Sequence, residues 1–382
     1  MYKAFEEFYR KAKIKHLLLA EHEDMLISPP FATELCKDYS RVAVYNPVVK
    51  HVSYIDLNLP AVTSKTNAIA TVNDSSWLIP YGIWDEFNTV VELKGITPVY
   101  HQLDKLGKGQ FYSVASNGTS ACSFPLGYQE TSFIIYIDYE GLHTVNFESN
   151  NKKCHMGTVY CNGQYWSMPR GDFRNYNSLV SYDGTNITKY GINVAPQVTR
   201  KFTDLIPVGN TLYSLPFGES AGLTAVVEFD TNTWKSRTYE LDVPDFGKKY
   251  NAQVLLNENI IGLPYGEEYE DNSNWGVVFN TVTKQSKRFD IKLNFGGKYR
   301  YRCGIAYKGN AIFLPTGSPD CPIISVDENG NFKASKIDSN LIFGRPIIHN
   351  DILMSICYNI TDSSHTIVEI DEDLNLKEVT KI

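Results

Sequence analysis

The stretch Asp204-Leu-Ile-Pro-Val-Gly-Asn-Thr-Leu-Tyr-Ser-Leu-Pro-Phe-Gly218, continued by Ala225-Val-Val-Glu-Phe-Asp-Thr-Asn-Thr-Trp234 and Lys235–Leu241, decides the fold. It reads as an inner strand, a Gly-Asn turn, a second strand ending in Pro-x-Gly, a loop, a third strand, an Asp-Thr-Asn-Thr turn and an outer strand. Asn and Asp suit such turns because their side chains bond the local backbone and tolerate left-handed geometry.

The same unit recurs along the chain. Six segments close an apolar run with Pro-x-Gly, at Pro80, Pro125, Pro169, Pro216, Pro264 and Pro315, with steps of 45, 44, 47, 48 and 51 residues. Degenerate copies flank them at Met25–Pro30 and Met354–Asn359. A second landmark keeps the same beat: an alternating strand ends in a turn at Asn46, Lys94-Gly95, Asp138, Asp183, Asp230, Asn280, Asp327 and Asp371, with steps of 48, 44, 45, 47, 50, 47 and 44. Four strands repeated every 40–50 residues, roughly, are the mark of a β-propeller, and helical repeats of that length would need a 3.6 period that is absent. The chain is therefore expected to be all-β, a single propeller of four-stranded antiparallel blades. Eight blades are preferred; seven remain if the degenerate first copy is a cap. The expected repeats are about 16–60, 61–106, 107–150, 151–198, 199–244, 245–294, 295–340 and 341–382, each blade made from one continuous segment.

The order Gly-Asn-x-Leu-Tyr … Val-Val-Glu-Phe-Asp-Thr-Asn-Thr-Trp resembles the kelch repeat, and the resemblance covers roughly residues 15–382. Pro-x-Gly stands where kelch repeats carry Gly-Gly, which is closer to a looser kelch-like class with Leu/Ile-Pro-x-Gly and a later Val-x-x-Asp-x-x-Thr. Repeats of that kind are found in bacterial and bacteriophage structural proteins, and this resemblance implies a scaffold more directly than an activity.

Composition bounds the rest. Apolar residues make up 43% of the 382, enough for a substantial core, and 25 tyrosines favour pleated, half-buried surfaces. The net charge of −7 argues against nucleic acid as a partner, since that footprint needs a basic patch. No apolar run approaches the length of a membrane span. The seven cysteines contain no C-x-x-C pair, so they read as buried thiols; Cys154, His155 and Cys161 invite a metal reading, but buried free thiols are the better account. No metal and no cofactor are expected. At the N-terminus, Met1–Lys15 spaces its apolar residues as an amphipathic helix, whose Phe5 and Phe8 could attach to a groove on a neighbour or cap the first blade.

Functional residues are expected on the loops that follow Pro-x-Gly, because loops on a rigid scaffold commonly carry recognition. The candidates are Trp84, Asp85, Phe87, Tyr128, Phe173, Arg174, Tyr176, Glu267, Tyr269 and Asp271. Rings that stack on apolar faces, mixed with carboxylates that accept hydroxyl hydrogen bonds, suit a glycan or protein surface. The first aromatic after Pro (Tyr81, Phe217, Tyr265) is instead expected to pack between blades. The acidic run Glu267–Asp271 lacks the glycine and terminal glutamate of an EF-hand and reads as a solvated loop.

No G-x-S-x-G, H-E-x-x-H, P-loop or dinucleotide fingerprint occurs, and Ser325–Phe332 approaches a sialidase-type Asp-box only once. The expectation is a non-catalytic binding or structural propeller, a phage virion or tail-associated protein engaging structural proteins or cell-surface glycans. It would be made in the host cytoplasm and located in the virion. The alternatives are a carbohydrate-active hydrolase or lyase, which needs two converging carboxylates, and a kelch-type cellular adaptor.

Overall fold

A computed structural model describes residues 12–382 apart from 83–86, 104–110, 127–132, 148–154, 171–175, 195–197, 219–221, 246, 248, 266–273, 292–299, 317–320 and 336–339. The chain divides into two units: residues 1–152, 343–370 and 376–382, and residues 153–342 and 371–375.

The first unit holds sheet 1 (Ala20–His22, Met25–Ser28, Arg41–Asn46, His51–Asp56), sheet 2 (Thr66–Val72, Ser75–Pro80, Thr89–Lys94, Thr97–Gln102) and sheet 3 (Ala115–Ser116, Ala121–Ser123, Phe133–Asp138, Gly141–Asn146). It also holds most of sheet 8, where Leu341–Phe343 and Ile347–His349 share the first-strand place beside Ile352–Asn359, followed by His365–Ile370 and Leu376–Lys381. The second unit holds sheet 4 (His155–Cys161, Gln164–Pro169, Ser178–Tyr182, Ile187–Gly191) and sheet 5 (Ile206–Val208, Thr211–Ser214, Ala225–Asp230, Lys235–Glu240). Sheet 6 (Tyr250–Leu256, Asn259–Pro264, Trp275–Asn280, Ser286–Asp290) and sheet 7 (Tyr301–Tyr307, Asn310–Pro315, Ile324–Val326, Phe332–Ala334) complete it. The fold is all-β, an eight-bladed β-propeller of four-stranded antiparallel blades. The first copy is a full sheet, which removes the seven-blade alternative.

Local chemistry explains the meander. Two-residue turns join first to second strands in every sheet but sheet 3, where four residues (117–120) intervene, and Asn73, Asn162, Asn257 and Asn350 take positive φ there (51, 49, 53 and 48°), as the twist-matched hairpin turn demands. Between third and fourth strands the side chain of the landmark residue accepts backbone N–H groups two to four residues on: Asn46 from Val48 and Val49, Asp183 from Thr185 and Asn186, Asp230 from Asn232 and Thr233, Asp327 from Asn329 and Asn331. Lys94-Gly95 closes the same turn with Gly95 at φ 57°, a conformation glycine adopts freely. These bonds, the one from Asn186 first, hold the Asp183 carboxyl below its ordinary pKa. Asp183→Ala is expected to cost about 1 kcal/mol, and Asp183→Asn much less, read as shifts in the urea midpoint.

The core lies between neighbouring sheets. Trp166 and Leu179 of sheet 4 pack with Leu212 and Phe229 of sheet 5, and the rings of Trp166 and Phe229 are 5.4 Å apart. Trp166 also donates its indole N–H to the Cys161 carbonyl at 3.0 Å. Sheets 6 and 7 share Val254, Leu263, Phe313 and Ile324, and sheets 8 and 1 share Leu19, Leu26, Met354 and Ile356. Sheets 4 and 5 approach so closely at Gly157 (φ 66°) that a Cβ there would lie 2.5 Å from the Asp204 Cα, so only glycine fits.

One expectation needs correction. Among the described residues the helical element is a single 3₁₀ turn, Glu34–Cys36, and 13–17 form neither helix nor strand. Residues 1–11, with Phe5 and Phe8, lie outside the described residues. The backbone of 13–15 is engaged elsewhere: Lys13 N–H donates to the Tyr358 hydroxyl, Ile14 N–H to Thr33 Oγ1 and Lys15 N–H to His365 Nε2, at 3.0–3.1 Å. Such partners displace the i to i−4 bonds a helix would need.

Candidate functional site at the loop-bearing end

Pro80, Pro169, Pro264 and Pro315 each end a second strand. Third-strand pairing stops before they are reached: in sheet 6 it ends at Gly262 with Val277, so the missing proline N–H leaves no gap in that ladder. The chain then turns, and the residue after Pro enters a chain of backbone bonds between sheets. In the first unit Phe31 N–H donates to the Lys15 carbonyl (2.7 Å), Lys65 to Phe31 (2.8 Å) and Tyr81 to Lys65 (2.9 Å). In the second, Lys201 donates to Arg170, Phe217 to Lys201, Lys249 to Phe217, Tyr265 to Lys249, Arg300 to Tyr265 and Thr316 to Arg300, at 2.7–3.1 Å. Within each unit this belt ties neighbouring loop roots to one another, those of sheets 1 and 2 in the first and of sheets 4 to 7 in the second.

The side chains of Lys65, Lys249 and Arg300 reach back to the preceding blade. Lys65 is fully buried, and its ammonium donates to the carbonyls of Lys37 (2.6 Å), Tyr39 (3.0 Å) and Val62 (2.9 Å). Lys249, equally buried, reaches Asp245 at 2.9 Å, and Asp245 in turn accepts the Gly222 N–H. Burial alone would raise the Asp245 pKa, but the Gly222 bond and Lys249 bring it below the ordinary value. Arg300 donates to Asn274 Oδ1 at 3.0 Å. Burial pulls the Lys201 ammonium down to a pKa of about 8.

In four blades the next residue along fastens the far end of the loop. His16, after Lys15, pairs its Nε2 with the Tyr39 hydroxyl at 2.8 Å, and His155, in the equivalent place of sheet 4, pairs its Nε2 with that of Tyr176 at 2.7 Å. Tyr250 donates to the Trp275 carbonyl (3.3 Å) and Tyr301 to that of Pro322 (2.9 Å).

Of the sequence candidates, Trp84, Asp85, Tyr128, Phe173, Arg174, Glu267, Tyr269 and Asp271 lie outside the described residues. Two others are corrected. Phe87 is buried in the core shared by sheets 1 and 2, because it precedes the third strand by two residues and its side chain falls on the strand's buried face. Tyr176 is also buried, as the hydroxyl partner of His155. Tyr81, Phe217 and Tyr265 are buried between neighbours: Tyr81 meets Phe31 and Tyr112, and Phe217 meets Tyr265 at 5.7 Å. Cys161 donates to the Gly209 carbonyl, and among the described residues no three His, Cys, Asp or Glu side chains converge as metal ligands. Sequence reasoning misses the belt cations. Their signal is nevertheless present, since Lys15, Lys65, Lys201, Lys249 and Arg300 each stand 16 residues before the belt residue of the same blade.

Comparison with known proteins gives fold and no family. No family model matches, and no curated protein does. Among solved structures the chain is similar to the dihydro-heme d1 dehydrogenase NirN in complex with DHE, with TM-score 0.61, 9% identity, and coverage of 95% of this chain and 74% of that one. It is also similar to a catalytically inactive virginiamycin B lyase from Staphylococcus aureus with quinupristin (TM-score 0.53, 13% identity, 77% and 92% covered). The RRP9 WD40 repeats match with TM-score 0.50 and 7% identity over 76% and 86%. The propeller fold is thus shared with enzymes and with WD40 proteins alike.

Proposed function

We propose that this chain is a non-catalytic binding propeller whose loop-bearing end recognises partner proteins or surface glycans, and that it serves as a bacteriophage virion or tail-associated protein. The observation that carries the reading is the belt. It ties the roots of six loops to one another within each unit while those loops, from eight residues (81–88) to twelve (29–40), differ in length and composition. Rigid roots under variable, aromatic-rich loops are the arrangement recognition surfaces use, since little ordering is left to oppose binding. The kelch-like repeats add the phage context, with synthesis in the host cytoplasm and residence in the virion.

The test is binding of the purified chain to a glycan array and to host cells, beside a Trp84→Ala, Tyr269→Ala double variant. Loss of binding of about tenfold in the variant is expected if two stacking rings are removed. If the wild type binds neither glycans nor cells, the recognition reading fails and a structural piece held by partners takes its place. Deleting Met1–Lys15 would then abolish assembly. Release of cleaved sugar during the assay would overturn the non-catalytic part.

A further inference from the structure

Arg345 and Tyr112 meet within the first unit although they come from sheets separated by two others. Arg345 follows the first segment of sheet 8, and Tyr112 leads into sheet 3 beside Phe111, which bridges to Pro125. The Arg345 guanidinium lies over the Tyr112 ring, 5.6 Å from its centroid. Both ends of this contact are braced. Arg345 N–H donates to the Leu17 carbonyl and the residue bridges to Leu18, while the Tyr112 carbonyl accepts from Asn67 Nδ2 at 3.3 Å and its ring meets Tyr81 at 5.9 Å.

Arg345 is half-buried, yet among the described residues neither a carboxylate nor a carbonyl accepts from its side-chain N–H groups. Contrast Arg302, whose Nε and Nη2 both donate to the Tyr265 hydroxyl at 3.1 and 2.9 Å. A guanidinium stays charged in proteins and offers a planar fork that fits a carboxylate in bidentate fashion. Stacking on a ring fixes the plane of that fork without using its donors.

We propose that Arg345, on its Tyr112 platform, binds the carboxylate of an acidic saccharide; this rests on the glycan reading above and names the class of sugar. Asn67 leaves its amide oxygen to accept a sugar hydroxyl, and the half-buried Tyr112 supplies apolar ring surface beside the fork. The net charge of −7 opposes an acidic peptide or other polyanion far more than a sugar with a single carboxylate.

The test titrates the full chain with methyl glucuronide, its neutral methyl ester, methyl glucoside and an oligoglutamate peptide, by calorimetry and saturation-transfer NMR. The glucuronide is expected to bind and the two neutral sugars to bind at least about tenfold more weakly. Arg345→Gln should weaken the glucuronide by about 10- to 100-fold. Arg345→Lys, which keeps the charge and loses the fork, should recover only part. Because the Arg345 side chain makes no hydrogen bond within the described residues and loses only its ring contact, both variants are expected to unfold within a few degrees of the wild type. That measurement separates lost binding from lost fold. Equal binding of glucuronide and glucoside, or binding unchanged in Arg345→Gln, overturns the Arg345 site. Glycan-array binding that is lost with Trp84 and Tyr269 would survive that failure. Oligoglutamate binding more tightly than glucuronide overturns the sugar assignment.

Discussion

Lys65→Met is expected to destabilise the protein by about 3–5 kcal/mol, because three charge-assisted hydrogen bonds are lost together. Methionine keeps the apolar stem and removes only the ammonium. What remains are the carbonyls of Lys37, Tyr39 and Val62, each of which loses a charged donor at 2.6–3.0 Å. A hydrogen bond to a charged group contributes about 1.5–3 kcal/mol, so the loss of three outweighs the relief of no longer burying a charge. Lys65→Arg does not rescue, because a planar fork cannot serve three acceptors gathered around a tetrahedral ammonium. The control is Lys94→Met. That lysine is 61% exposed and paired with Glu92, and its loss is expected to stay within about 0.5 kcal/mol. Urea midpoints of the three variants at neutral pH decide the matter. A Lys65→Met protein as stable as the wild type would mean that desolvation of the ammonium cancels its bonds, and the belt would then owe nothing to its side chains.

The contrast between these lysines shows which parts of the fold are legible in the sequence. The landmark Asp and Asn residues can be read because their chemistry is local: Asp183 bonds N–H groups two and three residues away, and the sequence contains both partners side by side. Pro-x-Gly can be counted, but its purpose cannot be seen, because the carbonyl that receives Tyr81 N–H belongs to Lys65, 16 residues earlier, and the Tyr265 carbonyl serves Arg300 of the next blade. A lysine in a row of letters reads as solvated; only the gathering of carbonyls from residues 37, 39 and 62 turns Lys65 inward. Phe87 and Tyr176 are misread for a related reason. Both stand at the returning end of a loop, where composition says loop and the approach of the third strand has already restored burial. At the N-terminus the 3.6 spacing is real in the sequence. Over residues 13–15, however, the tertiary acceptors Tyr358, Thr33 and His365 outcompete it.

Acid is expected to weaken the fold well above the pH at which its carboxylates titrate, through His16, His155 and His365. Burial, the largest cause in each, lowers His16 from 6.5 to a pKa of about 4 and His155 and His365 to about 3. Lys15 opposes protonation of His16 and His365, His16 opposes that of His365, and Lys189 opposes that of His155. The unfolded chain therefore takes up these protons first as pH falls. Stability is full above about 6.5, the ordinary histidine value, and is lost as pH drops toward the folded-state values. At pH 5, about 1.5 below the ordinary value and above all three folded ones, each histidine costs about 2 kcal/mol. The turn aspartates Asp183, Asp230 and Asp371 have pKa values below the ordinary carboxylate range, so their contribution is lost only in stronger acid. Two of the histidines also sit where the first and last blades meet. His16 bonds Tyr39 of blade 1 and lies 5.8 Å from the ring of His365 in blade 8, which accepts the Lys15 N–H. Protonating His365 removes that acceptor and sets a second cation beside Lys15. Urea midpoints between pH 7.5 and 5 should fall steeply in the wild type. They should fall less steeply in His365→Gln and His155→Gln, which start lower at pH 7.5 because a buried hydrogen bond is impaired. A midpoint that stays level to pH 5 would show that water reaches these rings and that the junction of the first and last blades is open.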